Sequence, residues 1–189
     1  LDECKKTGKE DMVFIFASTS KISFPGAGVA IMAASVNNIK QISKLLGIQC
    51  ISYDKLNQLR HVKYFKNVDG IMAHMEKHKA ILAPKFKLVL DTLDKELSSL
   101  GILEWNKPNG GYFVSVNTIN GCAKRVVSLC KEAGVVLTDA GATFPYGKDP
   151  DDRNIRLAPT YPPLNELETA MNLFCLCVKL ASAEKLLSE

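Results

Sequence analysis

The sequence predicts a mixed α/β chain, an α/β layer followed by a long helix and a compact α+β part. Three observations carry this: two strand-length apolar runs near the N-terminus, a helical pattern of about thirty residues in the middle, and alternating strand and helix signals after it. A chain of 189 residues, 47% hydrophobic and 23% charged, is long enough for one substantial core or two small ones. The net charge of +4 is spread as mixed signs and gives no basic patch for nucleic acid. No apolar run approaches the roughly 20 residues that a membrane-spanning helix needs, so no membrane partner is expected. Six cysteines at irregular spacing fit neither a disulfide framework nor paired zinc knuckles, and reduced thiols in a cytoplasmic protein are the expectation. The opening Leu1-Asp2-Glu3-Cys4-Lys5-Lys6 has no initiator Met and no apolar leader, and reads as a cut inside a longer protein.

Each element has its own signal. Met12 to Ala17 and Val29 to Ala34 are apolar and β-prone, separated by a Ser/Pro/Gly-rich turn, and look like strands buried on both faces. Ile39, Ile42, Leu45 and Leu46 recur at helical spacing, with Asn37 or Asn38 as cap and Gly47 as stop. A second helix covers Asp54 to Phe65. From Asp69 to Leu100 the stripe Met72, Met75, Ile81, Leu82, Phe86, Leu90, Leu93 and Leu97 predicts one long helix, kinked at Pro84, that links two domains. Strands at Gly111–Val116, Val135–Thr138 and Asn154–Ala158 then alternate with helices at Cys122–Ala133 and Leu164–Leu187. Cys175 and Cys177 are expected as small core residues.

The chemistry starts at Lys21. It follows the run Phe14-Ile15-Phe16-Ala17-Ser18-Thr19-Ser20, and a lysine that forms an imine must reach a buried carbonyl from a fixed backbone position. Ser18 and Ser20 are short hydroxyl donors for a phosphate oxygen, and Pro25-Gly26-Ala27-Gly28 lets the backbone turn tightly beside a bulky ligand. A plain solvated lysine at a strand end fits the same local features. Arg156, inside Asn154-Ile155-Arg156-Leu157-Ala158, is a cation in an otherwise apolar strand, and its planar fork matches a carboxylate. Its partner is either a substrate carboxylate or a structural ion pair with Asp149, Asp151 or Asp152. In Lys107-Pro108-Asn109-Gly110-Gly111-Tyr112-Phe113 the paired glycines suit close backbone approach or a simple hairpin. His74 and His78 share a helix face, but Met75-Glu76-Lys77 between them is not a zincin spacing, and no metal is expected.

In this order the segments resemble the class I aminotransferases of pyridoxal-phosphate fold type I. The carrying residues are Ser18-x-Ser20-Lys21, Pro25-Gly26-x-Gly28, Pro108-x-Gly110-Gly111-x-Phe113, Gly141-x-x-Phe144 and Ile155-Arg156-Leu157. Gly26-Ala27-Gly28-Val29-Ala30 and Gly141-Ala142-Thr143-Phe144-Pro145-Tyr146-Gly147-Lys148-Asp149-Pro150 look in particular like the MocR-type aspartate aminotransferases. The resemblance implies the C-terminal part of that fold: residues 1–66 as the end of the large cofactor domain, and residues 67–189 as the linking helix plus the small domain. It implies pyridoxal 5'-phosphate as cofactor and Lys21 as the catalytic Schiff-base lysine. Ser18, Ser20 and Gly28 would bind the cofactor, Arg156 and Gly110 the substrate. Amino acids and 2-oxo acids would be the substrates, aspartate or a relative first among them, and the full-length protein a homodimer. For a dicarboxylate, Arg60, Arg125, Arg153 and Lys148 are candidate second cations. One departure stands out: many class I enzymes carry a phosphate-binding Gly-x-Arg run after the lysine, where this chain has Gly26-Ala27-Gly28-Val29. Because the ring-binding residues of the family lie upstream of the lysine, the fragment alone is not expected to bind the cofactor tightly or to be catalytically competent. The same fold also serves as the effector domain of MocR/GntR-like transcription regulators, which is the alternative reading; a stand-alone interaction domain is a third.

Overall fold

A computed structural model of the chain describes residues 1–188. The chain divides into two compact units, Leu1–Lys79 and Ala80–Glu189, with the boundary inside the long helix. Among the described residues no helix is long and apolar enough to cross a membrane.

In the first unit a short helix α1 (Asp2–Lys6) leads to β1 (Phe14–Ser18) and β2 (Ala30–Ala34), which pair antiparallel with Phe14 opposite Ala34 and Ser18 opposite Ala30. The expectation that both strands are buried on two faces is overturned: Phe16 is 73% and Ile31 61% exposed. The two strands form a sheet by themselves, so within this unit neither face meets a second layer. Helix α2 (Val36–Gln49) is capped by Ser35 rather than by Asn37 or Asn38; the extended backbone of Ser35 lets its Oγ accept the Asn38 N–H at 3.1 Å. Gly47 does not stop the helix, which runs on to Gln49; one interior glycine costs only about 1 kcal/mol, and Leu45, Leu46 and Ile48 around it continue the turn. Helix α3 (Lys55–Phe65) begins where expected, with the Asp54 carboxylate accepting the Asn57 N–H at 2.8 Å.

Helix α4 (Val68–Leu97) runs through Pro84. Its stripe is only half used: Met72 and Ile81 are exposed, whereas Val89, Leu93 and Leu97 are fully buried. In the second unit these three join a core with Val126 and Cys130 of α5 (Ala123–Glu132) and Met171, Phe174 and Val178 of α6 (Leu164–Leu187). The core is floored by an antiparallel sheet of order β3 (Leu103–Trp105), β4 (Val114–Thr118), β5 (Asn154–Leu157). Strict alternation sends Val114, Val116, Ile155 and Leu157 into the core and Ser115, Asn117 and Arg156 to the other face.

Three expectations shift here. The strand read as Gly111–Val116 lies at Val114–Thr118, because Gly111 takes φ 88°, outside the strand region. β3 has too short a run to be seen in the sequence. Val135–Thr138 is not a strand: the Val135 N–H closes the end of α5 on the Cys130 carbonyl at 2.7 Å, and Val136 points outward, 84% exposed. Cys175 and Cys177 are buried as expected, and burial, reinforced by the neighbouring Cys177, pushes the Cys130 thiol up to about 12.

Candidate functional site

Lys21 lies in the first unit, just past the end of β1, where the chain closes a turn through the Ile22 and Ser23 N–H groups on the Thr19 carbonyl at 2.9 and 2.8 Å. The strand alternation continues into this turn. Thr19 faces inward: its Oγ1 accepts the Val29 N–H at 2.8 Å and a hydrogen bond from Ser23 Oγ, also at 2.8 Å. Ser18 and Ser20 face the other way, and their hydroxyls meet at 2.6 Å. Gly28 passes directly beneath them; a Cβ there would stand 2.6 Å from Ser20 Oγ and 3.0 Å from Ser20 Cα. Only glycine lets the loop approach this closely. Lys21, Ser18, Ser20 and Gly28 are thus gathered at one turn as the sequence suggested.

The loop is pinned by a residue that sequence reasoning missed. Asn57 of α3 donates to the Ala27 carbonyl at 2.9 Å and the Gly28 carbonyl at 3.5 Å, and Arg60 donates to Asn57 Oδ1 at 2.5 Å while its guanidinium lies 5.5 Å from the Phe24 ring centre. No local signal could reveal it, since Asn57 and Ala27 are 30 residues apart. Beside the turn, a cavity of about 480 Å³ is lined by Thr19, Ser23, His61, Phe65 and Ile71, and not by Ser18, Ser20, Lys21 or Gly28. His74 packs against Phe24, Tyr64 and Phe65, with the His78 ring 4.5 Å away. Among the described residues no cluster of three or more His, Cys, Asp or Glu is arranged to hold a metal.

Arg156 lies in the second unit, on the outward face of the sheet, opposite Ser115. That face is ordered by Asn154, whose Nδ2 donates to Ser115 Oγ at 3.0 Å and Asn117 Oδ1 at 2.8 Å, and whose Oδ1 accepts from Thr143 at 2.6 Å. Two of the three expected structural partners of Arg156, Asp149 and Asp152, are engaged elsewhere. Asp149 accepts the backbone N–H groups of Asp151, Arg153 and Asn154 at 3.1, 2.8 and 2.8 Å; against the upward push of burial, these bonds hold its carboxyl below the usual range. Asp152 accepts the Lys124 N–H at the start of α5. Among the described residues no carboxylate lies within 4.0 Å of Arg156, and its buried Nε has no hydrogen-bond partner. Instead its guanidinium lies 4.4 Å from the centre of the Phe113 ring. Of the other candidate cations, Arg125 is held bidentately by Glu184 at 2.7 and 2.9 Å and Arg153 by Glu104 at 3.0 Å. Gly110 has open space where a Cβ would sit and no unusual φ, so nothing within the unit demands glycine there.

Known proteins contain a similar chain. An aspartate transaminase of Corynebacterium glutamicum, known from its crystal structure, matches with a TM-score of 0.91 at 45% identity, over 96% of this chain and 43% of that one. The α-aminoadipate aminotransferase LysN of Thermus thermophilus, complexed with N-(5'-phosphopyridoxyl)-L-leucine, shares the fold with a TM-score of 0.76 at 20% identity, over 96% of this chain and 45% of that one. The mixed α/β architecture is therefore that of the aminotransferases. The sequence model of the aspartate amino-transferase family matches residues 1–189, and the aspartate aminotransferase of Corynebacterium glutamicum is 46% identical over 177 residues, 94% of this chain and 41% of the relative. The chain belongs to this family. It spans about two fifths of the length of the curated relatives it matches.

Proposed function

We propose that the chain is the C-terminal part of a MocR-type, pyridoxal-phosphate-dependent aminotransferase that exchanges the amino group of aspartate or a related amino acid with a 2-oxo acid. The observation that carries this reading is the turn after β1, where Lys21 follows a paired Ser18–Ser20 hydroxyl couple seated on Gly28. The donor set suits a phosphate: two hydroxyls at one point, and a loop whose carbonyls are already turned onto Asn57. When bound, pyridoxal 5'-phosphate supplies the electron sink for cleavage at the amino acid's α-carbon.

The residues of the chain supply binding and proton transfer. Ser18 and Ser20 donate to the phosphate, and Gly28 gives it room. Lys21 Nζ would hold the cofactor and, as a free amine, would take the substrate α-proton and return it. Arg156 binds the α-carboxylate with its planar fork. With Arg125 and Arg153 paired to Glu184 and Glu104, Lys148 and Arg60 are the stronger candidates to meet a second carboxylate. The full-length protein is read as a cytoplasmic homodimer by analogy with its class.

The test is Lys21→Ala in the complete enzyme: loss of both the visible absorbance of lysine-linked cofactor and transamination is expected, and retention of both overturns the assignment. Titration of the 189-residue chain with cofactor is expected to show weak binding; stoichiometric tight binding would contradict the placing of essential ring contacts upstream.

A further inference from the structure

We infer that Phe113 is a positioning residue for the substrate carboxylate: its ring stacks on Arg156 and orients the guanidinium fork before the substrate arrives. This rests on the assignment of Arg156 to the carboxylate and adds to it a residue with no assigned role. The guanidinium centre lies 4.4 Å from the ring centre, inside the distance at which a cation is drawn to an aromatic face. Register brings the two side chains within reach of each other. With Ser115 opposite Arg156 and Val114 opposite Leu157, alternation puts Phe113 on the same outward face, as the diagonal neighbour of Arg156 across β4 and β5.

Phe113 is not part of the hydrophobic core and is 39% exposed, so its contact with Arg156 is not a by-product of core packing. Arg156 in turn has no carboxylate within reach among the described residues, and its Nε is buried without a partner. An arginine in that state would lose orientation among its rotamers; a flat ring on one face of the guanidinium removes that freedom and leaves its N–H edge for a carboxylate.

The experiment uses the complete, cofactor-loaded enzyme and three replacements, Phe113→Leu, Phe113→Tyr and Phe113→Trp. Leucine keeps apolar volume and removes the π face. It should raise KM for the amino acid roughly 3- to 30-fold, the span of a cation–π contact, with kcat within about twofold of the parent and cofactor affinity unchanged. Tyrosine and tryptophan should restore KM. In an Arg156→Ala background, Phe113→Leu should add no further rise, a coupling that a merely structural role would not produce. A parental KM for Phe113→Leu, or tyrosine and tryptophan variants as impaired as leucine, overturns the inference. Should the leucine variant lose stability, a tryptophan variant that binds substrate worse than the parent overturns it alone. Arg156→Ala separates the two claims: if it leaves KM unchanged, the carboxylate assignment fails, whereas a raised KM there with no effect of Phe113→Leu sinks only the stacking role.

Discussion

The two units of the chain bury their side chains very differently. Among the described residues of the first unit only Ser23, Ser35 and Phe65 are buried, and Phe14, Phe16 and Ile31 of its strands lie open. The second unit closes a continuous core from Val89 of α4 to Ala181 of α6. The lysine turn is therefore ordered by hydrogen bonds, those of Thr19, Ser23 and Asn57, whereas the arginine strand stands on packed hydrocarbon. Polar order of the first kind fixes a local shape with little burial behind it; hydrophobic order of the second kind supplies stability that tolerates a half-buried cation without a carboxylate partner on its far face.

Thiol chemistry should separate the units most sharply. At pH 8, a water-soluble disulfide reagent should label the partly exposed Cys4 and Cys50 of the folded chain more than about tenfold faster than the buried Cys130, whose thiol is pushed up by burial; comparable rates would dissolve the contrast. Next comes core truncation: Phe174→Ala should cost about 3–5 kcal/mol in denaturant unfolding, as the loss of a fully buried ring does. Asp149→Ala, which frees three backbone N–H groups ahead of β5, should cost on the order of 1 kcal/mol, like the loss of a helix cap. Because the folded pKa of Asp149 is lowered, that contribution is complete above about pH 4 and disappears as the pH falls through the lowered value, so parent and variant should converge in acid. The smallest effect is expected at Phe16→Ala, below about 0.5 kcal/mol, since the side chain is 73% exposed; a cost near that of Phe174→Ala would mean that the ribbon is covered in solution.

What the sequence disclosed cuts across that divide. Helix α3 was legible from its Asp54 cap and α6 from a long run of apolar residues at helical spacing, both local signals. So was the gathering of Ser18, Ser20, Lys21 and Gly28, which lie within one short turn. The faces of β1 and β2 were not legible, since burial depends on whether a second layer exists and a run of apolar residues cannot report that. Val135–Thr138 carried strand composition, but the Val135 amide was claimed by the end of α5. Arg156 stood out in the sequence as an odd cation in an apolar strand, yet whether its neighbour was an acid or a ring depended on the β4–β5 register, which placed Phe113 diagonal to it, while Asp149 and Asp152 accept backbone amides.

Gly28 sets a limit on redesign. The familiar Gly-x-Arg run could be written back into this loop by a single codon change, but the new side chain would begin 2.6 Å from Ser20 Oγ, and its first carbon would have to dislodge Ser20 from Ser18 before any guanidinium could reach a phosphate. A second change at Ser20 would have to come first or together with it, so the Ser18–Ser20 couple and an arginine at position 28 exclude one another at this turn.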